Sequence, residues 1–295
     1  MPEMPEVESL ARWLSERTRG LSIARADVLA ISALKTFDPP IHALIDRVVT
    51  GWSRRGKFLI AATVAPSDPS GEVFYLCIHL ARAGWIRWSD ELNAKAAKLT
   101  RGPQALRVGL SDGSGFTATE AGTEKRLSVH VVRDPDAVEY IRTLGVDPLS
   151  AEFTVKRFSQ LMTAAGRSQI KGVLTDQGLI AGVGNAYSDE ALHLARLSPF
   201  KAASGLTEDE RLSLRDAVVS VLMEALERSA GKPASELKDT KRSGMRVHAR
   251  TGLPCPVCGD TVREVAFVTK SLQYCPTCQT GGKPLADRRL SRLLK

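Results

Sequence analysis

No stretch of this chain approaches the run of about 20 apolar residues that crosses a bilayer. The start, MPEMPEVESL, carries three glutamates and no basic segment ahead of an apolar one, so it does not read as a secretory signal. There is no internal repeat and no low-complexity tract, which sets aside solenoid arrays and disordered linkers. Cysteine is scarce, five in 295 residues, too few for a disulfide-stapled scaffold. These absences leave an ordinary globular chain, 43% hydrophobic and 25% charged, with room for one large domain or two. A cytoplasmic location is the default expectation, nucleoid-associated if the source is bacterial, with no membrane partner.

Acidic residues are scarce in one region only. Residues 1–150 carry 19 Lys/Arg against 18 Asp/Glu, whereas residues 231–295 carry 13 against 5, so the net charge of +8 collects toward the C-terminal end. A basic C-terminal segment points to a polyanion, nucleic acid first. The other reading of the same charge is a solvated surface.

Local patterns divide the chain. Val7, Leu10, Ala11 and Leu14 recur at helical spacing behind the opening prolines. Residues 18–134 then read as short strands, ARADVLAI, KFLIAATV, VFYLCIHL, GWIRW, ALRVGL, GFTATEA and LSVHVV, separated by turns such as APSDPSG and LSDGSG. Cys77, inside an apolar run, reads as a buried small hydrophobe. The character changes near LGVDPLSAEFT. Ser150 or a neighbour caps a helix through VKRFSQLMTAA, and T-E-D-E at Thr207 forms a capping box ahead of the stripe Leu214, Val218, Leu222 and Leu226. The predicted fold is α+β and multidomain. An N-terminal β-sandwich with a flanking helix occupies 1–134, a linker 135–148, a helical domain 149–245, a small cysteine module 246–279 and a basic extension 280–295.

Cys255, Cys258, Cys275 and Cys278 give C-x2-C-x16-C-x2-C. Two thiolates two residues apart bind one ion from a tight turn, and a hairpin of the intervening length returns the second pair. Four sulfurs close a tetrahedron and leave no open position, which suits one structural Zn2+, with iron as the alternative. The same hairpin places Thr269, Lys270 and Ser271 at its tip, a possible phosphate contact. Upstream, IKGVLTDQGLIAGVGNAYSDEALHLARLSPF has helix–turn–helix character. Gly182 and Gly184 permit close backbone approach, Asn185 can cap the following helix, and Asp189 and Glu190 fall in its first turn. Amides at that helix start could hold a phosphate, or the turn could serve folding alone.

Four segments together resemble one family. MPEMPEVE is similar to the MPELPEVE start of formamidopyrimidine-DNA glycosylases, and SRRGKFL to their RRGKYL strand. QIKGVLTDQGLIAGVGNAYSDEAL resembles their helix–two-turns–helix, and CPVCG…YCPTCQ their terminal zinc finger. Order and spacing match over essentially the whole chain, which resembles the Fpg/Nei group of bifunctional DNA glycosylases, closer to Fpg. The resemblance implies a monomeric DNA-repair enzyme that excises oxidised bases from duplex DNA and cuts the strand by β,δ-elimination, without a small-molecule cofactor. It implies Pro2 as nucleophile once Met1 is removed, Glu3 as acid–base residue, Glu6 as a supporting group, and Lys57 as a phosphate contact near the lesion. Lys171 and Asn185 are implied as further phosphate contacts.

The chain also departs from the family pattern. HLARAG places Arg82 where the family's HLGMTG has a methionine that fills the hole left by the flipped base. TEKRLS aligns Arg126 with an arginine facing the opposite strand, but Leu127 replaces the aromatic wedge. Thr269-Lys270 replaces a Gly-Arg pair, so Lys270 would meet phosphate as a point charge rather than a fork. GKPASELKDTKRSGM does not resemble the lesion-capping loop, and the family has no counterpart to TGGKPLADRRLSRLLK. Arg288, Arg289, Arg292 and Lys295 could extend the DNA footprint or keep a short helix soluble. These departures keep an alternative open: a non-excising or weakly active family member that binds damaged or abasic DNA.

Overall fold

The computed structural model describes residues 2–68, 70–92, 102–267 and 271–286. Thr269, Lys270, Arg288, Arg289, Arg292 and Lys295 lie outside them. The chain forms two compact units, Met1–Leu144 with Ser229–Lys238, and Gly145–Arg228 with Asp239–Lys295. Among the described residues no helix is long and apolar enough to cross a membrane.

The first unit opens with helix α1 (Met4–Thr18), whose Val7, Leu10 and Leu14 are fully buried. Eight strands follow: β1 (Ile23–Val28), β2 (Val48–Arg55), β3 (Phe58–Val64), β4 (Phe74–His79), β5 (Gly84–Ser89), β6 (Gln104–Leu110), β7 (Gly115–Glu120) and β8 (Ser128–Val132). They form two four-stranded antiparallel sheets, in order β1-β6-β7-β5 and β2-β3-β4-β8. One apolar core joins α1 to the facing sides of both sheets, through Leu59, Leu76, Val129 and Val131 on one and Ile86, Leu106, Val108 and Phe116 on the other. This is the predicted sandwich with its flanking helix. Strands β3 and β4 read as continuous apolar runs because both faces are covered. Their other face, Phe58, Ile60 and Cys77, packs with Val138 and with Ile141 of α2 (Glu139–Arg142). Periodicity missed strand β2, of which only the end, residues 53–55, fell in the quoted SRRGKFL segment. A bulge at Val49/Gly51 and a polar end break its alternation.

Ser229–Lys238 was grouped with the helical domain on sequence, but it packs in the first unit. Ala234 and Leu237 join the sandwich core, and Trp85 Nε1 donates to the Ala234 carbonyl at 2.9 Å.

The second unit carries α3 (Val155–Ala165), α4 (Ile170–Thr175), α5 (Asn185–Leu194), α6 (Glu208–Ser229) and α7 (Leu237–Ser243), the last spanning the boundary. A two-stranded ribbon, β9 (Arg263–Ala266) and β10 (Ser271–Tyr274), precedes α8 (Pro276–Thr280). The cap of α3 is Thr154, a neighbour of Ser150: its hydroxyl accepts from the Arg157 amide at 3.1 Å. The capping box of α6 forms in both directions, Glu210 N to Thr207 Oγ1 at 3.2 Å and Thr207 N to Glu210 Oε2 at 2.9 Å.

Candidate functional site

Pro2 is buried, and Glu3 and Glu6 are each only 2% exposed. Burying two carboxylates beside a chain terminus is costly unless they are held. Glu6 is held by accepting the Glu3 backbone N–H at 2.8 Å, half of a capping box at the first turn of α1. Pro5, within that turn, needs no hydrogen-bond partner for its nitrogen and fixes its own φ. The result is a proline nitrogen and two carboxylates on a rigid helix start.

Two residues on, Glu8 links this start to the β2–β3 turn. Its Oε2 accepts from Arg54 Nε at 3.2 Å, and Arg54 Nη1 donates to the Gly56 carbonyl at 3.1 Å. The Arg54 side chain is itself buried. The sequence reading assigned Glu8 no chemistry, and its geometry is that of a brace.

Lys57 was expected in a strand, but Gly56 and Lys57 form a two-residue turn closed by the Arg55–Phe58 pair. Gly56 has φ +56°, and a Cβ there would press on the Leu144 side chain at 2.9 Å, so the turn requires glycine. Lys57 therefore sits at a hairpin tip rather than along a strand edge. Phe58 pairs across to His79, with ring centroids 4.8 Å apart. Burial pushes the His79 imidazole down to about 4, and the Lys57 and His130 charges push the same way. Sequence reasoning passed over His79, although it opens the quoted HLARAG segment.

Arg82 is exposed on the β4–β5 turn, after Ala81 at φ +51°. The turn is closed by the Gly84 amide donating to the Leu80 carbonyl at 2.8 Å, and a side chain at Gly84 would overlap that carbonyl. Arg126 is exposed and pairs with Glu124 at 3.0 Å. Leu127 requires a correction. It is 2% exposed and belongs to the sandwich core, so it is not presented as a wedge. The buried Glu120 carboxylate fixes this segment by accepting the Arg126 amide at 2.9 Å and the Leu127 amide at 3.0 Å.

In the second unit Gln177 organises the two turns between α4 and α5. Its Oε1 accepts from Gly182 N at 2.9 Å, and its Nε2 donates to the Val183 carbonyl at 2.7 Å. The N-cap of α5 is Gly184, so Asn185 is the first helical residue and not the cap. Asn185 Nδ2 donates to the Ser271 carbonyl on β10 at 2.8 Å. Lys171, expected on phosphate, is buried. Its ammonium donates to Asp189 Oδ1 at 2.5 Å, Ser188 Oγ at 2.8 Å and the Asn185 carbonyl at 3.2 Å, which occupies its three donors. Asp189 also meets His248 Nδ1 at 2.8 Å, and Glu190 accepts the backbone amides of Arg246, Val247 and His248. These two acids lie past the first turn and knit the unit together instead of serving the helix dipole. Burial pushes the Glu190 carboxyl up, against the pull of the three amides.

The four cysteines converge. Cys255 and Cys278 sulfurs are 3.9 Å apart and Cys258 and Cys275 sulfurs 3.3 Å, close to the edge of roughly 3.8 Å that a tetrahedron with Zn–S of about 2.3 Å requires. An all-thiolate set of this size fits Zn2+ and holds one structural zinc, as the spacing predicted. His193, which sequence reasoning missed, reaches the same cluster: its Nε2 is 3.2 Å from Cys255 Sγ, and its ligand atom lies within 4.8 Å of those of Cys255, Cys275 and Cys278, a group that does not include Cys258.

Comparisons with known proteins agree with this arrangement. The chain matches the family models for the formamidopyrimidine-DNA glycosylase N-terminal domain over residues 1–121 and its H2TH domain over residues 144–236. It also matches the zinc finger found in FPG and IleRS over residues 252–281. An uncharacterized formamidopyrimidine-DNA glycosylase-like protein of Mycobacterium tuberculosis is 59% identical over 154 residues, covering 52% of this chain and 96% of that protein. The formamidopyrimidine-DNA glycosylase of Acaryochloris marina is 32% identical over 291 residues, 95% of this chain and 99% of that one. The crystal structure of the Lactococcus lactis enzyme bound non-covalently to DNA containing an AP site superposes with TM-score 0.78 at 26% identity, covering 94% of this chain and 99% of that one. The chain belongs to the formamidopyrimidine-DNA glycosylase family.

Proposed function

We propose that this protein is a monomeric DNA glycosylase and AP lyase that acts on oxidised bases and abasic sites through the Pro2 nitrogen. The observation that carries the reading is the buried N-terminal cluster of Pro2, Glu3 and Glu6. Removal of Met1 turns the Pro2 nitrogen from an amide into a secondary amine. An α-amine titrates near pH ~8, well below lysine at ~10.4, so more of it is nucleophilic at neutral pH. The target nucleotide leaves the stack, and the amine attacks C1′. The bond from C1′ to the base breaks, the base leaves with a proton, and opening of the sugar ring gives an iminium. Glu3 moves protons beside the sugar. The iminium acidifies C2′; loss of that proton expels the 3′ phosphate, and a second elimination expels the 5′ phosphate. Water then hydrolyses the iminium and frees Pro2.

Glu6 supports this chemistry by holding the Glu3 backbone. Lys57 at its turn, Arg82, Arg126 and Asn185 are proposed as DNA contacts, and Lys270 on its charge alone. Such contacts position the duplex without reading its sequence. Lys171 is proposed as a brace for α5.

Borohydride trapping tests the reading. Incubation with duplexes carrying an abasic site or oxidised bases should give a covalent adduct that peptide mapping locates on Pro2. Tight duplex binding with no adduct on any substrate would reject the enzyme and leave a DNA-binding relative.

A further inference from the structure

We propose that His193 is a positioning residue of the zinc site, donating its Nε2–H to the Cys255 thiolate and tying the metal to helix α5. His193 is 3% exposed, and its Nε2 lies 3.2 Å from Cys255 Sγ. Its Nδ1 is buried and has no hydrogen-bond partner among the described residues.

Two roles compete for this ring, donor and zinc ligand. A ligand nitrogen and a ligand sulfur on one tetrahedral zinc, with bonds of about 2.0 and 2.3 Å, stand roughly 3.6 Å apart. The observed 3.2 Å is within reach of an N–H···S hydrogen bond, and the choice between the two roles rests on the thiolate set and the tautomer. His193 lies with Cys255, Cys275 and Cys278, their ligand atoms all within 4.8 Å of one another, but the four thiolates suffice to close a structural zinc site without it. The tautomer decides in the same direction. Ligation through Nε2 would put the proton on Nδ1, as a buried donor with nothing to receive it. Donation through Nε2 leaves Nδ1 as an unused acceptor, and buried orphan acceptors are the commoner of the two.

A donor on a metal thiolate draws charge from the sulfur and fixes its direction, which slows loss of the ion and attack on the sulfur. Here the donor sits on α5, whose first residue, Asn185, also holds the ribbon at Ser271. Gln279, next to the last ligand, donates to the Leu197 carbonyl just past the end of α5 at 3.0 Å. The zinc module is thus fastened to one helix at its start, its last turn and beyond its end. The contact needs only the bound zinc and is independent of the lyase chemistry.

The test uses the full-length zinc protein. Release of zinc to excess chelator, followed with a chromogenic indicator, should be about 10–100-fold faster in His193→Phe and largely restored in His193→Gln, whose amide can still donate. Equal release from all three proteins would overturn the proposal. Two measurements on the unmodified protein stand even if the phenylalanine variant fails to fold. X-ray absorption at the zinc edge should show four sulfurs, and nitrogen NMR of His193 should show the proton on Nε2. A nitrogen in the zinc shell, or a proton on Nδ1, would overturn it.

Discussion

At the scale of single residues, the N-terminal cluster makes the sharpest demand. Glu3 is nearly isosteric with glutamine, and its backbone N–H is what Glu6 holds, so Glu3→Gln should keep the fold and remove the proposed proton carrier. Single-turnover base excision should fall about 10²–10⁴-fold, with duplex affinity unchanged within a few-fold. Excision within ten-fold of the parent would remove Glu3 from the acid–base role. His79 offers a second check. Burial is the largest cause of its lowered pKa and the Lys57 charge the next. In Lys57→Met the His79 pKa, followed by NMR, should rise from about 4 yet stay below the ordinary value near 6.5. Because the unfolded chain takes up this proton first, the folded state loses stability as pH falls from about 6.5 toward 4 and keeps it above. The loss in that window is up to about 3 kcal/mol, and Lys57→Met should narrow it.

At the scale of elements, α5 is braced and not merely packed. Lys171 from α4 and Asp189 from α5 form an ion pair with side-chain exposures of 10% and 1%, and His248 completes it. Removing one partner strands the other charge in a buried site, which costs about 3–5 kcal/mol. Lys171→Met should therefore lower unfolding stability by that order in urea titrations. Because its ammonium is spent internally, the variant should leave the salt dependence of duplex binding unchanged. A salt slope smaller by about one ion, with stability intact, would restore Lys171 to the phosphate contacts.

At the scale of the whole molecule, the two units have separate sources of stability. The sandwich rests on its own apolar core and contains no zinc ligand, whereas all four ligand cysteines lie in the second unit. Stripping zinc should leave the β-sheet circular dichroism and the sandwich's thermal transition in place, while a second, lower transition shifts down. Duplex affinity, measured by fluorescence anisotropy, should weaken at least about ten-fold, because many of the basic residues sit in the unit that loosens. Unchanged binding after verified zinc loss would separate the finger from DNA contact.

Signals that are local in the chain were legible without coordinates. Helix α1, the capping box at Thr207, most strands of the sandwich and the C-x2-C pairs depend on periodicity, caps and spacing within a few residues. So did the N-terminal motif, because its members are neighbours in sequence. What only the tertiary structure decided were pairings between distant residues. Leu127 went to the core because the Glu120 carboxylate fixes its backbone. Lys171 turned inward because Ser188 and Asp189 wait 17 and 18 residues on. Ser229–Lys238 joined the sandwich through Trp85, and His193 met Cys255 across 62 residues. Burial and the use of a donor are set by what surrounds a side chain in space, and a charged or apolar residue carries no mark in sequence of which partner will reach it.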